Sequence, residues 1–417
     1  MILYRQGGLD TRIPLENLRK IIHQALKPLG TRRKVLIIPP DITRLHSHAG
    51  DITCHIHSFY GTAVGGILPA LGTHAPMSEN ELARMFPGIP QTLFMKHNWR
   101  SDLAPLGTVP GSYLSQISDG MLSFDWPARI NKNLVHGGFD LILSIGQVLP
   151  HEVVGMSNHS KNILIGTGGA EAIHKSHYLG AVYGMERIMG QTDTPVRAVL
   201  DYAMREFAHG LPIVYILTVV EQLKTGATAL RGLYIGNDRE CFEEAAELSR
   251  KVNIIQVEKP ISKCVVYLNP NHYRTAWLGN KAIYRTRMAL AHGAELIILG
   301  PGVRGFGEDK EIDRVIRQYG YSGRETVMNA VRNNADLAAN LCAAAHLIHG
   351  SPEGCFRITW APGGLSREEI QNAGYEYADI NDLLPLYSPL HTSLGWNTVN
   401  GENVYFIPNP SLGLWRV

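Results

Sequence analysis

Short apolar runs recur along this chain, and most of them end at a glycine, a proline or a polar residue ahead of a helix-like segment. Runs of Ile, Val and Leu without an alternating polar face are typical of strands that are buried on both sides of a parallel sheet. The runs span residues 34–38, 139–145, 213–220, 265–268, 294–299 and 356–360. We therefore predict an α/β fold with mainly parallel sheets and crossover helices.

Two lobes are expected because a charged turn at Lys259 and Pro260 separates the strand pattern into two series. The first series predicts an N-terminal cofactor-binding and catalytic domain over residues 1–259, and the second predicts a C-terminal α/β domain over residues 260–394. The apolar segment 395–417 is expected to pack back onto the first domain. An active-site cleft is expected between the two lobes.

Composition limits the kind of partner. The chain has 417 residues, 45% hydrophobic, and a net charge of +2, which offers no field for nucleic acid and no basic face for a membrane, so the expected ligand is a small molecule. The five cysteines include no CxxC pair, which argues against a disulfide framework and against a thiolate zinc site. No signal-peptide pattern is present, and no apolar run reaches roughly 20 residues. A cytoplasmic protein is expected.

The segment 150–177 places His151, Lys161 and His177 around a glycine-rich turn. His151 comes soon after the predicted strand 139–145, and the carboxyl ends of parallel strands form the ligand crevice of such folds. A desolvated lysine has a lowered pKa and can become a covalent anchor, whereas a neutral histidine can bind a metal. This segment is therefore the first candidate for an active site.

Two other loops carry polar side chains. In PPDITR, Asp41 and Arg44 directly follow the strand 34–38, so Arg44 could bind a carboxylate through two hydrogen bonds. An ion-paired turn explains the same two residues. In LGTHAPM, His74 precedes a helix whose start is predicted from Ser78 and Glu81, and a loop imidazole suits a general base. A solvated histidine, or one bonded to backbone, is the alternative.

Gly166, Gly168 and Gly169 precede another predicted helix. Glycine amides at a helix start can face an anion, so this turn resembles a phosphate cradle. The spacing matches neither the GxGxxG pattern nor the Walker pattern, and a plain glycine turn explains it equally well.

A histidine-rich segment follows PPDITR and allows a zinc-dependent hydrolase as an alternative function. No HExxH or histidine–carboxylate pattern accompanies the segment, so its side chains are expected to line the same pocket or to lie at the surface. The residues are His46, His48, Cys54, His55 and His57.

Taken in order, PPDITR, GTHAPMSENEL, PHEVVGMSNHSK, the glycine turn with His177, and the later Lys281 resemble the nickel-pincer lactate racemase family. The resemblance extends from about residue 34 to 285. The spacings from His151 through Lys161 to His177 match the pattern of the family without a gap.

The resemblance implies a racemase or epimerase of 2-hydroxy acids that uses a nickel-pincer nucleotide, the nickel complex of pyridinium-3,5-bisthiocarboxylic acid mononucleotide. It implies that Lys161 forms a thioamide with this cofactor and that His177 binds the nickel. His74 and His151 would be the paired acid and base. Transient contact with the enzymes that make and load the cofactor is also implied.

The substrate carboxylate would meet Arg44 and Lys281 by the same resemblance. The other implied cofactor contacts come from Asp41, Thr43, Gly166, Gly168 and Gly169. A noncatalytic nucleotide or cofactor carrier of the same fold is the alternative, and in such a protein both site histidines would be dispensable.

The sequence departs from the family pattern at positions that bear on the substrate. Leu278 stands where lactate racemases have a substrate-binding glutamine, and no counterpart of their active-site tryptophan is found near residues 333–341. The usual SGG before the anchor lysine is Ser157, Asn158 and His159. Further polar groups come from His46, His48 and Arg274. A larger, more hydroxylated acid such as an aldonate is therefore predicted in place of lactate.

Overall fold

A computed structural model describes residues 1–223 and 227–417. Contacts divide the chain into two compact units: Met1–Leu179 with Arg187–Asn253, and Gly180–Glu186 with Ile254–Val417. The division at Asn253 falls a few residues ahead of the charged turn at Lys259.

The first unit contains both strands and helices. They are β1 Ile2–Gly7, α1 Leu15–Leu26, β2 Val35–Ile38, α2 Ala49–Tyr60, β3 Val64–Ile67, α3 Glu79–Met85, β4 Leu103–Val109, α4 Gly111–Ile117, β5 Trp126–Asn131, α5 Lys132–His136, β6 Leu141–Gln147, β7 Pro150–His151, β8 Gly155–Met156, α6 Ser160–Leu164, α7 Ala170–Tyr183, α8 Met185–Ile188, α9 Pro195–Phe207, β9 Ile213–Gln222, β10 Thr228–Gly236 and α10 Arg239–Asn253. Residues 180–186 of the second unit fall within the span of helices α7 and α8.

A six-stranded sheet in the order β1-β10-β9-β6-β2-β3 forms the centre of the first unit. The pairs β3–β2, β2–β6 and β6–β9 are parallel, and β10 pairs antiparallel with both β9 and β1. Every residue of β2 and β6 is buried. Alternate residues enter two separate cores, with Leu36 in one and Ile37 in the other. Such two-sided burial explains the continuous apolar runs in the sequence.

The second unit repeats this architecture with a sheet in the order β15-β14-β13-β12-β17-β16, parallel except for the β16–β17 hairpin. Its elements are β11 Ile254–Gln256, β12 Ile261–Tyr267, α11 Ala276–Gly279, α12 Lys281–Thr286, β13 Leu290–Gly300, α13 Lys310–Tyr319, α14 Arg324–Asn333, α15 Ala335–Ala339, α16 Leu341–Gly350, β14 Phe356–Pro362, α17 Arg367–Asn372, β15 Glu376–Tyr377, α18 Ile380–Leu383, β16 Gly395–Val399, β17 Glu402–Ile407 and β18 Leu414–Arg416.

The predicted α/β class with mainly parallel sheets is confirmed. The six predicted apolar runs correspond to β2, β6, β9, β12, β13 and β14. The helix that follows His74 begins with the predicted capping box between Ser78 and Glu81. No helix in the described parts of the chain is both long and apolar enough to span a membrane.

The last segment lies elsewhere than the sequence predicts. Residues 395–417 are expected on the first domain, but their strands pair inside the second unit: β17 with β12, and β18 with β11. Val404, Phe406 and Ile407 are fully buried there. The apolar pattern shows that the segment is buried, but it carries no information on which sheet edge receives it.

Candidate active site

The loops that carry the first candidate residues follow neighbouring parallel strands of the first unit. Asp41 comes after β2, His74 after β3, and His151 after β6. A backbone bridge between Pro40 and Ala70 extends the pairing of β2 and β3 beyond the strand ends. Because parallel strands end at the same sheet edge, this order collects the three side chains on one side of the unit.

Asp41 and His74 form a hydrogen-bonded pair. The Asp41 Oδ2 atom lies 2.6 Å from His74 Nδ1, and Asp41 Oδ1 accepts from the backbone N–H of Thr43 at 3.1 Å and from its hydroxyl at 2.5 Å. Burial opposes ionisation of Asp41, but the bonds from His74 and Thr43 outweigh it and lower its pKa. With Asp41 ionised, Nδ1 of His74 carries the proton and Nε2 is left as an acceptor on a side chain that is 60% exposed.

His151 has the opposite arrangement. Its Nδ1 accepts the backbone N–H of Val153 at 3.1 Å, so in the neutral ring Nε2 carries the proton. The short β7–β8 hairpin holds this geometry. Burial lowers the pKa of His151 well below its usual value; Lys161, His177 and Arg44 lower it further, and Glu152 acts against them. The Glu152 carboxylate lies 3.9 Å from His151 Nδ1 and can balance a charge on the ring.

Lys161 lies in the first turn of α6, beside this pair of loops. Burial, together with the charges of Arg44 and Arg197, lowers its pKa to about 8, while Glu152 and Asp41 act in the opposite direction. Roughly a tenth of the amine is then unprotonated at pH 7, far more than in an ordinary lysine, and a lysine needs this form in order to make a covalent bond.

His177, on α7, is oriented as a metal ligand. Its Nδ1 donates to the Ile173 carbonyl at 2.7 Å, which leaves the lone pair of Nε2 available. Burial lowers the pKa of His177 to about 4, so the ring is neutral at physiological pH. A neutral imidazole and a nucleophilic amine are the two protein groups that a lysine-tethered nickel nucleotide requires, and the residues present fit that group.

The glycine turn differs from the predicted phosphate cradle. The amides of Gly166 and Gly168 donate to the carbonyls of Lys161 and Ile165, so they close the end of α6 and are not available to an anion. A Cβ at Gly166 or Gly168 would lie 2.4 Å or less from a backbone carbonyl oxygen of α6. These two glycines are required by close packing. Gly169, which directly precedes α7, stays a predicted cofactor contact.

The histidine-rich segment does not gather into a metal site. Within residues 1–223 and 227–417, no three His, Cys, Asp or Glu side chains are placed to hold a metal ion. His48 pairs with Asp51 at 3.2 Å, and the pKa of His46 is lowered by burial and by Arg44. Cys54, His55 and His57 are spread along α2, where a helix directs successive side chains to different faces, whereas His46 and His48 precede that helix.

Lys281 belongs to the second unit, where it is the first residue of α12. Asn280, which precedes it, is fully buried, and its side chain contacts Tyr375 at 3.3 Å and His346 at 3.3 Å. Trp277 stacks on His346, with ring centroids 4.0 Å apart, and this contact packs the turn against α16.

Two groups at the site were not predicted from the sequence. Glu152 could have been found from its position next to His151. Arg197 gave no signal, because the backbone and hydroxyl groups that it binds lie 37 to 41 residues away in the chain.

The chain is similar to known proteins in one domain and in its overall fold. Residues 13–187 match the lactate racemase N-terminal domain family. The structure is similar to a protein from Thermotoga maritima, with a TM-score of 0.81 and 22% identity over 98% of this chain and 99% of that one. It is also similar to the lactate racemase apoprotein from Thermoanaerobacterium thermosaccharolyticum, with a TM-score of 0.73 and 16% identity over 99% of this chain and 95% of that one. A search of curated proteins gives no match.

Residues 13–187 are thus similar to the lactate racemase N-terminal domain. The two structural likenesses show that the whole chain shares the α/β fold of those proteins.

Proposed function

We propose that this protein is a racemase or epimerase that inverts the C2 centre of a 2-hydroxy acid with the help of a nickel-pincer nucleotide. The observation that carries the proposal is that the site contains both Lys161, whose pKa is lowered to about 8, and His177, whose Nε2 lone pair is available. Lys161 would hold the nucleotide through a thioamide, and His177 would bind its nickel. When bound, the nucleotide would supply a reversible hydride acceptor for C2.

The histidines would move the hydroxyl proton. His74 presents an Nε2 acceptor that Asp41 orients, so it can take the proton of the substrate hydroxyl as C2 becomes planar. His151 presents Nε2–H, so in its neutral form it can donate a hydrogen bond to the substrate oxygen on the other side. To supply a proton, the ring would first have to be protonated at Nδ1 in place of accepting the Val153 amide, and the Glu152 carboxylate at 3.9 Å would balance that charge. Inversion of C2 would therefore be accompanied by proton gain at one histidine and proton loss at the other.

Arg44 and Lys281 would bind the substrate carboxylate, as in the family. The charge of Arg44 contributes to the lowered pKa of both His151 and Lys161, which supports its proposed position near them. Leu278 would leave a polar contact of lactate racemases unmade, so a larger hydroxylated acid such as an aldonate is the proposed substrate. A panel of short aliphatic 2-hydroxy acids and aldonates tests this choice, and turnover confined to the short acids would contradict it.

The direct experiment is peptide mass analysis and nickel quantification on protein coexpressed with the cofactor-making enzymes. We expect an adduct on the Lys161 peptide and about one nickel per chain. Lys161→Ala should lose both, His177→Ala should lose most of the nickel but keep the adduct, and Lys20→Ala, at an exposed site on α1, should match the unmodified chain. An unmodified Lys161 after verified cofactor synthesis would contradict the proposal.

The catalytic step is tested separately from cofactor loading. Loaded His74→Ala and His151→Ala proteins should retain the adduct and lose interconversion of the two C2 stereoisomers, followed by chiral chromatography. If the loaded parent showed no turnover and both variants matched it in every assay, the protein would be a carrier and not an isomerase.

A further inference from the structure

The turn that leads into Lys161 has an unusual backbone. Asn158 and His159 both have positive φ, at 68° and 57°, and His159 has a ψ of −132°. Residues with a Cβ rarely adopt either conformation, so the surrounding structure must hold them in place. Lys161 follows two residues later, in the first turn of α6.

Arg197 on α9 binds this turn at three points. Its guanidinium donates to the carbonyl of Met156, to the carbonyl of Asn158 at 3.1 Å, and to the hydroxyl of Ser160 at 2.8 Å. The Arg197 side chain is 1% exposed. A buried cation is costly unless its donors are used, and three of these donor contacts converge on the five residues that precede Lys161.

Packing and a carboxylate support the same contact. The ring of His159 packs against Tyr215 and Phe242, with centroids at 4.1 and 5.2 Å, and the Arg197 guanidinium lies 4.4 Å from the Phe242 ring. Ser160 Oγ also donates to Asp201 at 2.8 Å, which brings a negative charge near the buried arginine without a direct ion pair.

We infer that Arg197 is a positioning residue that holds the strained 156–160 turn and so directs the Lys161 amine toward the group that it anchors. The inference rests on the proposed function for the identity of that group. Arg197 does not touch the reacting atoms; it acts through the backbone of the turn. Its positive charge also contributes to the lowered pKa of Lys161.

Amide hydrogen exchange on the protein without cofactor tests the inference. In Arg197→Met, amides of residues 157–166 should exchange at least about tenfold faster, because charge-assisted hydrogen bonds to the turn are lost. Peptides from α1 and β6 serve as references within the same unit. Arg205→Met is the matched control, since it removes an arginine of the same helix that is exposed and pairs with Glu206.

Arg197→Lys separates charge from geometry. It keeps the positive charge, but a single amine cannot reach three acceptors. The amide exchange rates of residues 157–166 should therefore lie between the rates in the parent and in Arg197→Met. If Arg197→Met does not fold, Ser160→Ala removes one of the three contacts and should give a smaller increase in the same segment.

A second readout is the pH profile of Lys161 acetylation by acetic anhydride, measured by peptide mass. The half-maximum should lie near pH 8 in the parent and shift to higher pH in Arg197→Met. Unchanged exchange and an unchanged profile, or faster exchange spread evenly over the first unit, would overturn the inference. A missing Lys161 adduct in the coexpressed parent would instead contradict the proposed function, and these two measurements would still stand.

Discussion

At the scale of single residues, the two site histidines are distinguished by what their Nδ1 atoms contact. Asp41 accepts from His74 Nδ1, whereas His151 Nδ1 accepts from a backbone amide. The sequence gives both histidines as loop residues after strands, but the tautomer of each depends on a partner that only the folded chain brings close. Asp41 is 33 residues from His74.

Asp41→Asn should reduce kcat/KM of the loaded enzyme by roughly 100-fold or more, because the neutral amide no longer stabilises a positive charge on His74. Asp119→Asn is the matched control, since Asp119 pairs with Arg187 at 2.8 Å, neither residue has a role in the proposed site, and the rate should stay within about twofold. Initial rates of stereoisomer interconversion measure the effect. Equal losses in the two variants would show that the carboxylate of Asp41 has no special part in proton transfer.

At the scale of helices and strands, the sequence predicts what local chemistry determines. The central strands of both sheets were found because burial on two sides removes polar residues from them. The β4–β5 hairpin was not predicted, because Pro105 and Pro127 interrupt strands that are only partly buried. The two-residue strands β7 and β8 are too short for any periodicity, although they position His151.

The helix that follows the His74 loop provides a stability prediction. Ser78→Ala removes the capping box of α3, in which Ser78 Oγ accepts from the Glu81 amide and the Glu81 carboxylate accepts from the Ser78 amide. The free energy of unfolding should fall by about 1 kcal/mol. Ser101→Ala, in an exposed turn, is the control and should change it by less than about 0.5 kcal/mol. Urea denaturation measures both, and similar values for the two variants would contradict the capping role.

At the scale of the whole chain, the pattern of apolar runs predicted the fold class better than the arrangement of the site. A net charge near zero and an ordinary apolar content are consistent with the two α/β units that the structure contains. The binding of the 156–160 turn by Arg197 had no counterpart in the sequence, because buried polar contacts between distant segments leave no periodic pattern. The destination of residues 395–417 was missed because an apolar pattern does not indicate which sheet edge receives the segment.

Buried histidines throughout the chain should make it sensitive to acid. Burial lowers the pKa of each of them, to about 4 for His177, so the folded chain binds fewer protons than the unfolded chain between pH 6.5 and that value. Stability should therefore fall as the pH drops through this window, by about 1.4 kcal/mol per pH unit for each histidine that stays neutral. The other residues of this group are His97, His151, His159, His174 and His346.

Asp41 adds to the same trend at lower pH, because its pKa is also lowered in the folded chain and its contribution is lost as the carboxylate is protonated. We expect the free energy of unfolding in urea to be lower at pH 5 than at pH 7 by roughly 3 kcal/mol or more. Unfolding at pH 5.5 should also take up more than one proton per chain, measured by potentiometry in dilute buffer. Stability that is unchanged or higher at pH 5, with no proton uptake, would mean that these histidines are already protonated in the folded chain, and a neutral His177 could not then be assumed as a metal ligand.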